Sequence, residues 1–281
     1  MHASDFRSLR DQHVLITGGS SGIGLALARQ VAAGGARVSL VARDAVKLAA
    51  AQTEIRAAHP DAAIGLFAAD VAVQAEILAA LAAAEAVHGP VDVLITSAGV
   101  ARPGYFEEVP VDVFERTMAV NFFGTLYPLK AVVPAMRQRG RGAVVLISSG
   151  AGLYGFFGYT PYSPSKFALR GLAESLRSEL VGSGVRIAIV YPPDTDTPQL
   201  TEENRTKPVE TKAITAGGGL WTAEAVARAT LEGLARGRFS VTPGFQLTAL
   251  AWLHSVLAPV LNWTFDRTAR RARAKAGGAR R

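Results

Sequence analysis

Short and almost wholly apolar segments alternate along this chain with longer segments in which apolar residues recur every three or four positions. The short segments predict buried β-strands, at residues 13–17, 37–42, 63–68, 91–96, 143–147 and 185–190, with a last short strand at 239–242. The longer segments predict helices, among them 45–58, 74–88, 111–136, 164–180 and 222–236. Strands that alternate with such helices predict an α/β fold with a parallel, doubly wound sheet and helices on both faces.

The helix at 164–180 has the clearest buried stripe. Leucines recur in it at three- and four-residue spacing, at Leu169, Leu172, Leu176 and Leu180. Thr222 is a plausible N-cap for the helix at 222–236. No linker divides the chain, so we expect residues 1–243 to form one domain and 244–281 to form a C-terminal extension.

A glycine-rich turn follows the first strand. The sequence GGSSGIG joins that strand to an alanine-rich helical segment, which is the strand-turn-helix context of a Rossmann-type dinucleotide site. Glycines allow such a turn and let backbone N–H groups approach a pyrophosphate at the positive end of the helix. The candidate cofactor-binding residues of this turn are Gly18, Ser20, Ser21, Gly22, Ile23 and Gly24.

The end of the second strand indicates which dinucleotide is bound. An acidic residue at this position suits the ribose 2′-hydroxyl of NAD, whereas an arginine suits the 2′-phosphate of NADP. The strand ends in Ala42 and Arg43, so we expect NADPH or NADP+. Arg43 could also be a solvated residue at a helix start, with Asp44 as the N-cap.

Other candidate cofactor contacts also follow strands. In parallel sheets, ligands bind beyond the carboxyl ends of the strands, where these residues would meet. Asp70 could receive an adenine amino group or cap the next helix, and the small residues at 97–99 would let the backbone pass close to a ribose. The full set is Asp70, Val71, Ser97, Ala98, Gly99, Pro192 and Thr195.

Tyr162 and Lys166 are the candidate catalytic pair. Their four-residue spacing places them on one helix face, where a lysine ammonium would favour the phenolate and lower the tyrosine pKa. Ser148 and Ser149 end the preceding strand, and adjacent strand residues point in opposite directions, so the residues alone leave open which serine faces the site. Asn121 could act with this pair or only bond a helix backbone.

These motifs resemble the short-chain dehydrogenase/reductase family over nearly all of residues 11–198. The matching features are TGxxxGxG at 17–24, Ser97-Ala98-Gly99 where the family usually has Asn-Ala-Gly, Asn121, and Ser149 thirteen residues before Tyr162, with Lys166 four residues after it. The resemblance implies that Tyr162 donates a proton to a substrate carbonyl and Ser149 hydrogen-bonds that carbonyl. It also implies that Lys166 holds the nicotinamide ribose and lowers the Tyr162 pKa, and that Asn121 supports a water-mediated link to Lys166. All four residues are then catalytic, with Tyr162 and Lys166 also touching the cofactor.

A narrower resemblance lies in the segments at 114–132, 162–176 and 191–211, the last containing EENRTKP. These segments are similar to the 3-ketodihydrosphingosine reductases. The resemblance implies NADPH-dependent reduction of the 3-keto group of 3-dehydrosphinganine, a long-chain keto-sphingoid base. The alternatives are a reductase or dehydrogenase of another lipid ketone or alcohol, such as a retinoid or steroid, and an inactive cofactor-binding membrane scaffold.

Residues 194–208 are either a polar surface loop or, because they follow the sixth strand, a substrate lid. Asp194, Glu202 or Glu203 could receive the substrate amine. Arg205 or Lys207 could contact the cofactor. The residues alone do not choose among these contacts.

Charge is concentrated at the C-terminal end. The chain has a formal charge of +7, and residues 266–281 contain six Arg and one Lys against one Asp. A nucleic-acid-binding protein more often has a basic face on its folded body, so no nucleic-acid partner is expected. An apolar segment with two Trp precedes the basic tail, which is typical of a membrane-surface element. Packing in a homo-oligomer and true spanning are the alternatives.

Two further features of the sequence limit the cellular location and the kinds of metal site and covalent bond that the protein can have. The chain of 281 residues has no cysteine, so it has no disulfide and no thiolate metal site, and no metal is expected. The first dozen residues are polar and lack the apolar core of a secretory signal. We therefore expect a cytoplasmic protein associated with the membrane surface.

Overall fold

A parallel seven-stranded sheet forms the centre of the computed structural model, which describes residues 8–216 and 219–278. Its strands, in spatial order β3-β2-β1-β4-β5-β6-β9, are all paired in parallel. The strands are β1 His13–Thr17, β2 Arg37–Ala42, β3 Ile64–Ala68, β4 Val93–Thr96, β5 Gly142–Ile147, β6 Val185–Val190 and β9 Ser240–Val241, with β7 Thr195–Asp196 and β8 Trp221–Thr222 pairing separately. The doubly wound prediction is confirmed, and the strand ends shift by two residues at most.

Ten α-helices accompany the strands within the described ranges. They are α1 Gly22–Ala33, α2 Ala45–Ala58, α3 Gln74–His88, α4 Val111–Met118, α5 Gly124–Arg139, α6 Tyr162–Glu179, α7 Pro198–Thr206, α8 Val209–Thr215, α9 Ala223–Ala235 and α10 Phe245–Gly278. Asp44 and Thr222 cap α2 and α9 as the sequence predicts. The predictions for the first seven residues and for 279–281, the end of the basic tail, lie outside the described residues.

Alternating side chains of the strands supply two cores, one on each face of the sheet. Val14 and Ile16 of β1 pack with α1, α2 and α9, whereas Leu15 packs on the opposite face with α3, α5 and α6. All three side chains are fully buried, and such burial stabilises the fold by about 1.5–3 kcal/mol for each side chain. Leu169 of α6 and Leu180, the residue that follows the helix, are buried, and Leu172 and Leu176 pack against the same core, which confirms the predicted stripe.

The helix predicted at 111–136 is interrupted. Residues Ala119–Phe123 form a π-helical turn between α4 and α5. A π-turn takes one extra residue per turn, and such turns are frequent at functional sites. Asn121 lies within it and is fully buried.

Residues 194–208 form regular structure rather than a surface loop. β7 pairs with β8, and α7 then begins at Pro198 with Thr197 as its N-cap, whose hydroxyl accepts a hydrogen bond from the Leu200 N–H at 3.3 Å. Proline suits this first position because its missing N–H would have had no helical partner. The polar segment therefore becomes a helix that covers the carboxyl ends of the strands.

The C-terminal segment is one long helix. α10 begins at Phe245, packs against α8, and places Leu250 and Ala251 against the core that contains α6. In the part of the chain that the structure describes, no helix has the length and apolar character needed to cross a membrane.

Candidate active site

β5 and α6 bring the candidate catalytic residues together. Ser149 follows β5, and its hydroxyl accepts a hydrogen bond from the Ala151 N–H at 3.1 Å. Tyr162 begins α6, and its phenol receives hydrogen bonds from the side chains of Ser149 and Gln199. Ser148 instead donates to the Lys166 carbonyl at 3.2 Å. The structure thus places Ser149, rather than Ser148, against the tyrosine.

Burial dominates the electrostatics of the tyrosine. It raises the pKa of Tyr162, and the carboxylates of Glu203 and Asp194 raise it further, while hydrogen bonds from Ser149 and Gln199 lower it. The net direction is opposite to the one predicted from Lys166. Two causes decide this direction: the phenol is buried, and the carboxylates of Glu203 on α7 and Asp194 before β7 lie near it. The four-residue spacing of Tyr162 and Lys166 reveals neither cause.

Lys166 lies over the face of the tyrosine ring. Its Nζ is 5.5 Å from the ring centroid of Tyr162 and donates to the Ile147 carbonyl at 3.0 Å. Burial lowers the pKa of Lys166 to about 8, although the Glu203 carboxylate opposes this shift. A small change of environment therefore changes its charge near neutral pH.

Asn121 joins the loop after β4 to the catalytic helix. Its Oδ1 accepts from the Val100 N–H at 2.9 Å, and its Nδ2 donates to the Val100 carbonyl at 3.0 Å and to the Ser165 Oγ at 2.9 Å. Ser165 in turn donates to the Tyr162 carbonyl at 2.7 Å. Asn121 lies behind the cavity wall, so in this structure it positions backbone on both sides of the site.

The glycine turn has the close backbone contacts that a dinucleotide cradle needs. Gly18 has φ +70°, and a Cβ on it would lie 2.7 Å from the Ala98 backbone nitrogen. A Cβ on Gly24 would overlap the Gly18 carbonyl oxygen. Ser21 is the N-cap of α1 but makes no side-chain capping hydrogen bond, so the positive end of the helix opens toward the cavity. This arrangement fits a pyrophosphate.

A cavity of about 770 Å³ joins the glycine turn to the catalytic tyrosine. Of the predicted site residues, its wall contains Gly18, Ser21, Gly22, Ile23, Ser97, Ala98, Gly99, Ser149, Tyr162, Lys166, Pro192 and Thr195. The predicted residues outside the wall are Ser20, Gly24, Arg43, Asp70, Val71 and Asn121.

Asp70 does not cap α3, so that alternative is wrong. Its carboxylate accepts from the Ala72 N–H at 3.0 Å and from Arg116 at 2.7 Å. Burial would raise the pKa of Asp70, but these hydrogen bonds outweigh it and lower the pKa. Val71 is buried against Gly124, at which a Cβ would lie 2.6 Å from the valine side chain. An adenine contact of Asp70 or Val71 stays a prediction.

The sequence pattern does not reveal Gln199 or Tyr159, and it leaves Glu203 as one of several candidates for the substrate amine. Glu203 is 7% exposed; its carboxylate accepts from the Tyr159 hydroxyl at 2.6 Å and from the Gln199 amide at 2.9 Å. Gln199 and Glu203 are four residues apart, which would have placed them on one face had the segment been predicted as a helix. Glu202 instead pairs with Arg205 on the surface at 2.8 Å.

Lys207 is also buried, and it is a partner of carboxylates. Its Nζ lies 3.5 Å from Asp194 and 3.9 Å from Glu203. Neither Arg205 nor Lys207 belongs to the cavity wall. The possible cofactor contact of these two cations therefore has no support here.

Apolar side chains line the remaining part of the cavity. α10 supplies Leu247, Leu250, Leu261 and Phe265, and the loop after β5 supplies Phe156. The helix is tied to the body by a hydrogen bond from Tyr154 to Asn262 and by an ion pair of 2.7 Å between Arg273 and the buried Glu210. An elongated apolar ligand could thus extend from Tyr162 along α10.

Known proteins share both the sequence pattern and the fold. The short chain dehydrogenase family matches residues 12–208. A 3-dehydrosphinganine reductase of Danio rerio is 43% identical over 248 residues, which cover 86% of this chain and 75% of that protein. A 3-ketodihydrosphingosine reductase of Bos taurus is 40% identical over 256 residues, covering 90% and 77%.

A solved structure has the same fold as this chain. A short chain dehydrogenase/reductase of Burkholderia phymatum in complex with NAD superposes with a TM-score of 0.80 at 25% identity, covering 90% of this chain and 96% of that one. The parallel sheet, the glycine turn and the joint placement of Ser149, Tyr162 and Lys166 agree with the sequence match. The chain belongs to the short-chain dehydrogenase/reductase family.

Proposed function

We propose that this protein reduces the 3-keto group of 3-dehydrosphinganine to sphinganine, with NADPH as the reductant, in sphingolipid biosynthesis. The observation that carries the proposal is the cavity itself, which joins Ser149 and the buried Tyr162 to an apolar wall formed by α10. The relatives named for this reaction, which match three quarters of their own length, support the same substrate.

The chemistry assigns a role to each catalytic side chain. The reduced nicotinamide, when bound, supplies the hydride. Ser149 and Tyr162 meet the negative charge that grows on the carbonyl oxygen, and Tyr162 transfers its proton to that oxygen. Because burial raises the Tyr162 pKa, the phenol carries the proton that a reduction consumes. The Lys166 ammonium then stabilises the phenolate that is left.

The residues after β2 support NADPH as the cofactor. Arg43 is exposed at the end of the strand. The neighbouring Asp44 uses one carboxylate oxygen to cap α2, accepting from Val46 and Lys47 N–H groups at 3.0 and 3.1 Å. A cation thus follows the strand where an NAD site would present a carboxylate to the ribose.

The outer face of α10 supports contact with the cytoplasmic membrane surface. Trp252 is 83% exposed and Trp263 is 61% exposed, and Arg267, Arg270 and Arg271 follow on the same helix. Tryptophan and arginine suit the headgroup region of an anionic membrane. This location would give the enzyme direct access to a long-chain ketone. The alternative is that the same face of α10 packs against another subunit in a homo-oligomer.

The direct test is an assay of nicotinamide absorbance with purified protein, short-chain 3-ketosphinganine, and NADPH or NADH in parallel. We expect oxidation of NADPH, a much slower rate with NADH, and sphinganine as the product by mass. Retinoid and steroid ketones serve as competing substrates. Faster turnover of one of those ketones, with none of 3-ketosphinganine, would replace the proposed substrate and leave the family assignment intact.

A further inference from the structure

α7 places a fixed carboxylate beside the reactive phenol. Glu203 is held by the Tyr159 hydroxyl at 2.6 Å and by the Gln199 amide at 2.9 Å, and both Glu203 and Gln199 line the cavity. Gln199 also hydrogen-bonds the phenol of Tyr162. One side chain therefore separates the carboxylate from the proton donor.

Glu203 is buried, and its contact with a cation is long. Asp194 and Glu203 share one cation, Lys207, at 3.5 and 3.9 Å. The Nζ of Lys166 donates to the Ile147 carbonyl and forms no ion pair with Glu203 within 4.0 Å. A buried carboxylate is stabilised by a close cation, so Glu203 favours a ligand that brings a positive charge.

The proposed substrate brings such a charge to this place. Its protonated amine is on the carbon next to the keto group, so bond lengths and angles keep the nitrogen within roughly 4 Å of the carbonyl oxygen at any torsion. When that oxygen accepts the proton of Tyr162, the ammonium must lie beside the phenol. The two donors that fix Glu203 occupy two of about four lone-pair directions of a carboxylate, which leaves capacity to accept from an ammonium.

We propose that Glu203, positioned by Tyr159 and Gln199, binds the protonated amine next to the keto group and selects amino ketones over neutral ketones. This inference rests on the proposed function. Glu202 does not have this role because its side chain is exposed and pairs with Arg205. Asp194 lies in the same wall, but it already pairs with Lys207 at 3.5 Å and its side chain is 37% exposed.

A matched pair of substrates tests this role. One is short-chain 3-ketosphinganine, and the other is the ketone of equal length in which hydrogen replaces the amine. We expect the wild-type protein to prefer the amino ketone in kcat/KM. Glu203→Gln should reduce that preference by about 10- to 100-fold, as expected for a hydrogen bond to a charged group. Glu202→Gln, the adjacent surface carboxylate, should leave the preference unchanged.

The ratio of kcat/KM for the amino ketone to kcat/KM for the neutral ketone separates amine binding from an effect on Tyr162. Glu203 raises the Tyr162 pKa, so Glu203→Gln changes the rates of both substrates, and that common change cancels in the ratio. An equal loss for both substrates would mean that Glu203 only positions Tyr162, and the inference would be wrong. Tyr159→Phe keeps the carboxylate charge and should retain most of the preference.

Measurements on the wild-type protein alone also test whether the site binds the substrate amine. Sphinganine should inhibit at least 10-fold more strongly than its N-acetylated form, since acylation removes the charge. Turnover of both ketones with equal kcat/KM would overturn the amine contact and leave the proposed function standing. Turnover of the neutral ketone without any of the amino ketone would overturn both.

Discussion

At the scale of single residues, the environment of Tyr162 matters more than its spacing from Lys166. Burial and the carboxylates of Glu203 and Asp194 raise its pKa, and the hydrogen bonds from Ser149 and Gln199 act against them. A phenol with a raised pKa stays protonated at neutral pH. Burial therefore favours the protonated phenol, which is the form that can give a proton to a ketone.

Replacement of Tyr162 by Phe removes the phenol hydroxyl and with it the proton that is donated. We expect kcat to fall by about 10²- to 10⁴-fold, the usual contribution of a positioned general acid, while NADPH binding measured by fluorescence changes little. Tyr127→Phe, at a half-buried tyrosine packed against the core, is the control and should retain full activity. A Tyr162→Phe protein with wild-type turnover would favour the non-catalytic scaffold.

Lys166 makes stability depend on pH. Its pKa is lowered from 10.5 in the reference state to about 8 in the folded protein. The unfolded chain thus binds more protons between these values, and the free energy of unfolding should rise with pH across that range. Lys166→Met lacks this titration, so wild type should gain about 1–3 kcal/mol relative to the variant between pH 7 and 10.

Urea unfolding at the two pH values measures that gain. Lys130→Met, on the exposed side of α5, should show no comparable difference. A constant gap between wild type and Lys166→Met at both pH values would contradict the lowered pKa.

Arg43→Ala tests the choice of cofactor. If the guanidinium binds a 2′-phosphate, the variant should lose about 10-fold or more in affinity for NADPH and little for NADH, because a hydrogen bond to a charged group is removed. Lys47→Ala removes a nearby exposed cation of α2 and should affect both cofactors alike. Equal losses for the two cofactors with Arg43→Ala would sink the 2′-phosphate assignment.

At the scale of elements, the turn between β1 and α1 depends on close backbone packing. A Cβ at Gly24 would overlap the carbonyl oxygen of Gly18, whereas a Cβ at Gly171 in α6 would meet no atom within 4 Å. Both glycines lie in helices. Replacing each by alanine therefore distinguishes the general cost of glycine in a helix from the need at Gly24 for close contact with the backbone of Gly18.

The two Gly→Ala variants should have opposite effects. Gly171→Ala should raise the free energy of unfolding by about 0.4–1 kcal/mol through lower entropy of the unfolded chain. Gly24→Ala should lower it by about 1–3 kcal/mol, as overpacking does, and should weaken NADPH binding because the turn must shift. Thermal unfolding and cofactor titration measure both effects, and a stabilised Gly24→Ala protein would contradict the packing.

At the scale of the whole molecule, α10 has two distinct faces. Leu247, Leu250 and Phe265 on the inner face close the cavity, whereas Trp252 and Trp263 on the outer face are exposed. The ion pair of Arg273 with Glu210 fixes the far end. One helix therefore forms both the substrate wall and the proposed membrane contact.

The double variant Trp252→Ser and Trp263→Ser tests the outer face. We expect it to sediment with phosphatidylserine-containing vesicles about 10-fold less than wild type, since burial of each indole in the interface is lost. Its turnover of water-soluble short-chain substrate should be unchanged. Val46→Ser, at an exposed valine on α2, is the control. Unchanged sedimentation, with a change in oligomeric state by light scattering, would favour the subunit contact.

The sequence by itself determined the order along the chain of the seven strands in the main sheet, the glycine turn and the Tyr162–Lys166 pair. These follow from local patterns, because hydrophobic periodicity and turn residues act over a few positions. Asp44 as the cap of α2 is local in the same way.

Only the tertiary structure decided the direction of the Tyr162 pKa, the pairing of Asp70 with Arg116, and the places of Gln199 and Glu203 in the cavity wall. Each depends on residues that are distant in sequence. The α10 residues that close the cavity come much later in the chain than the catalytic helix α6. Burial and charge arise from such contacts, so no local pattern could reveal them.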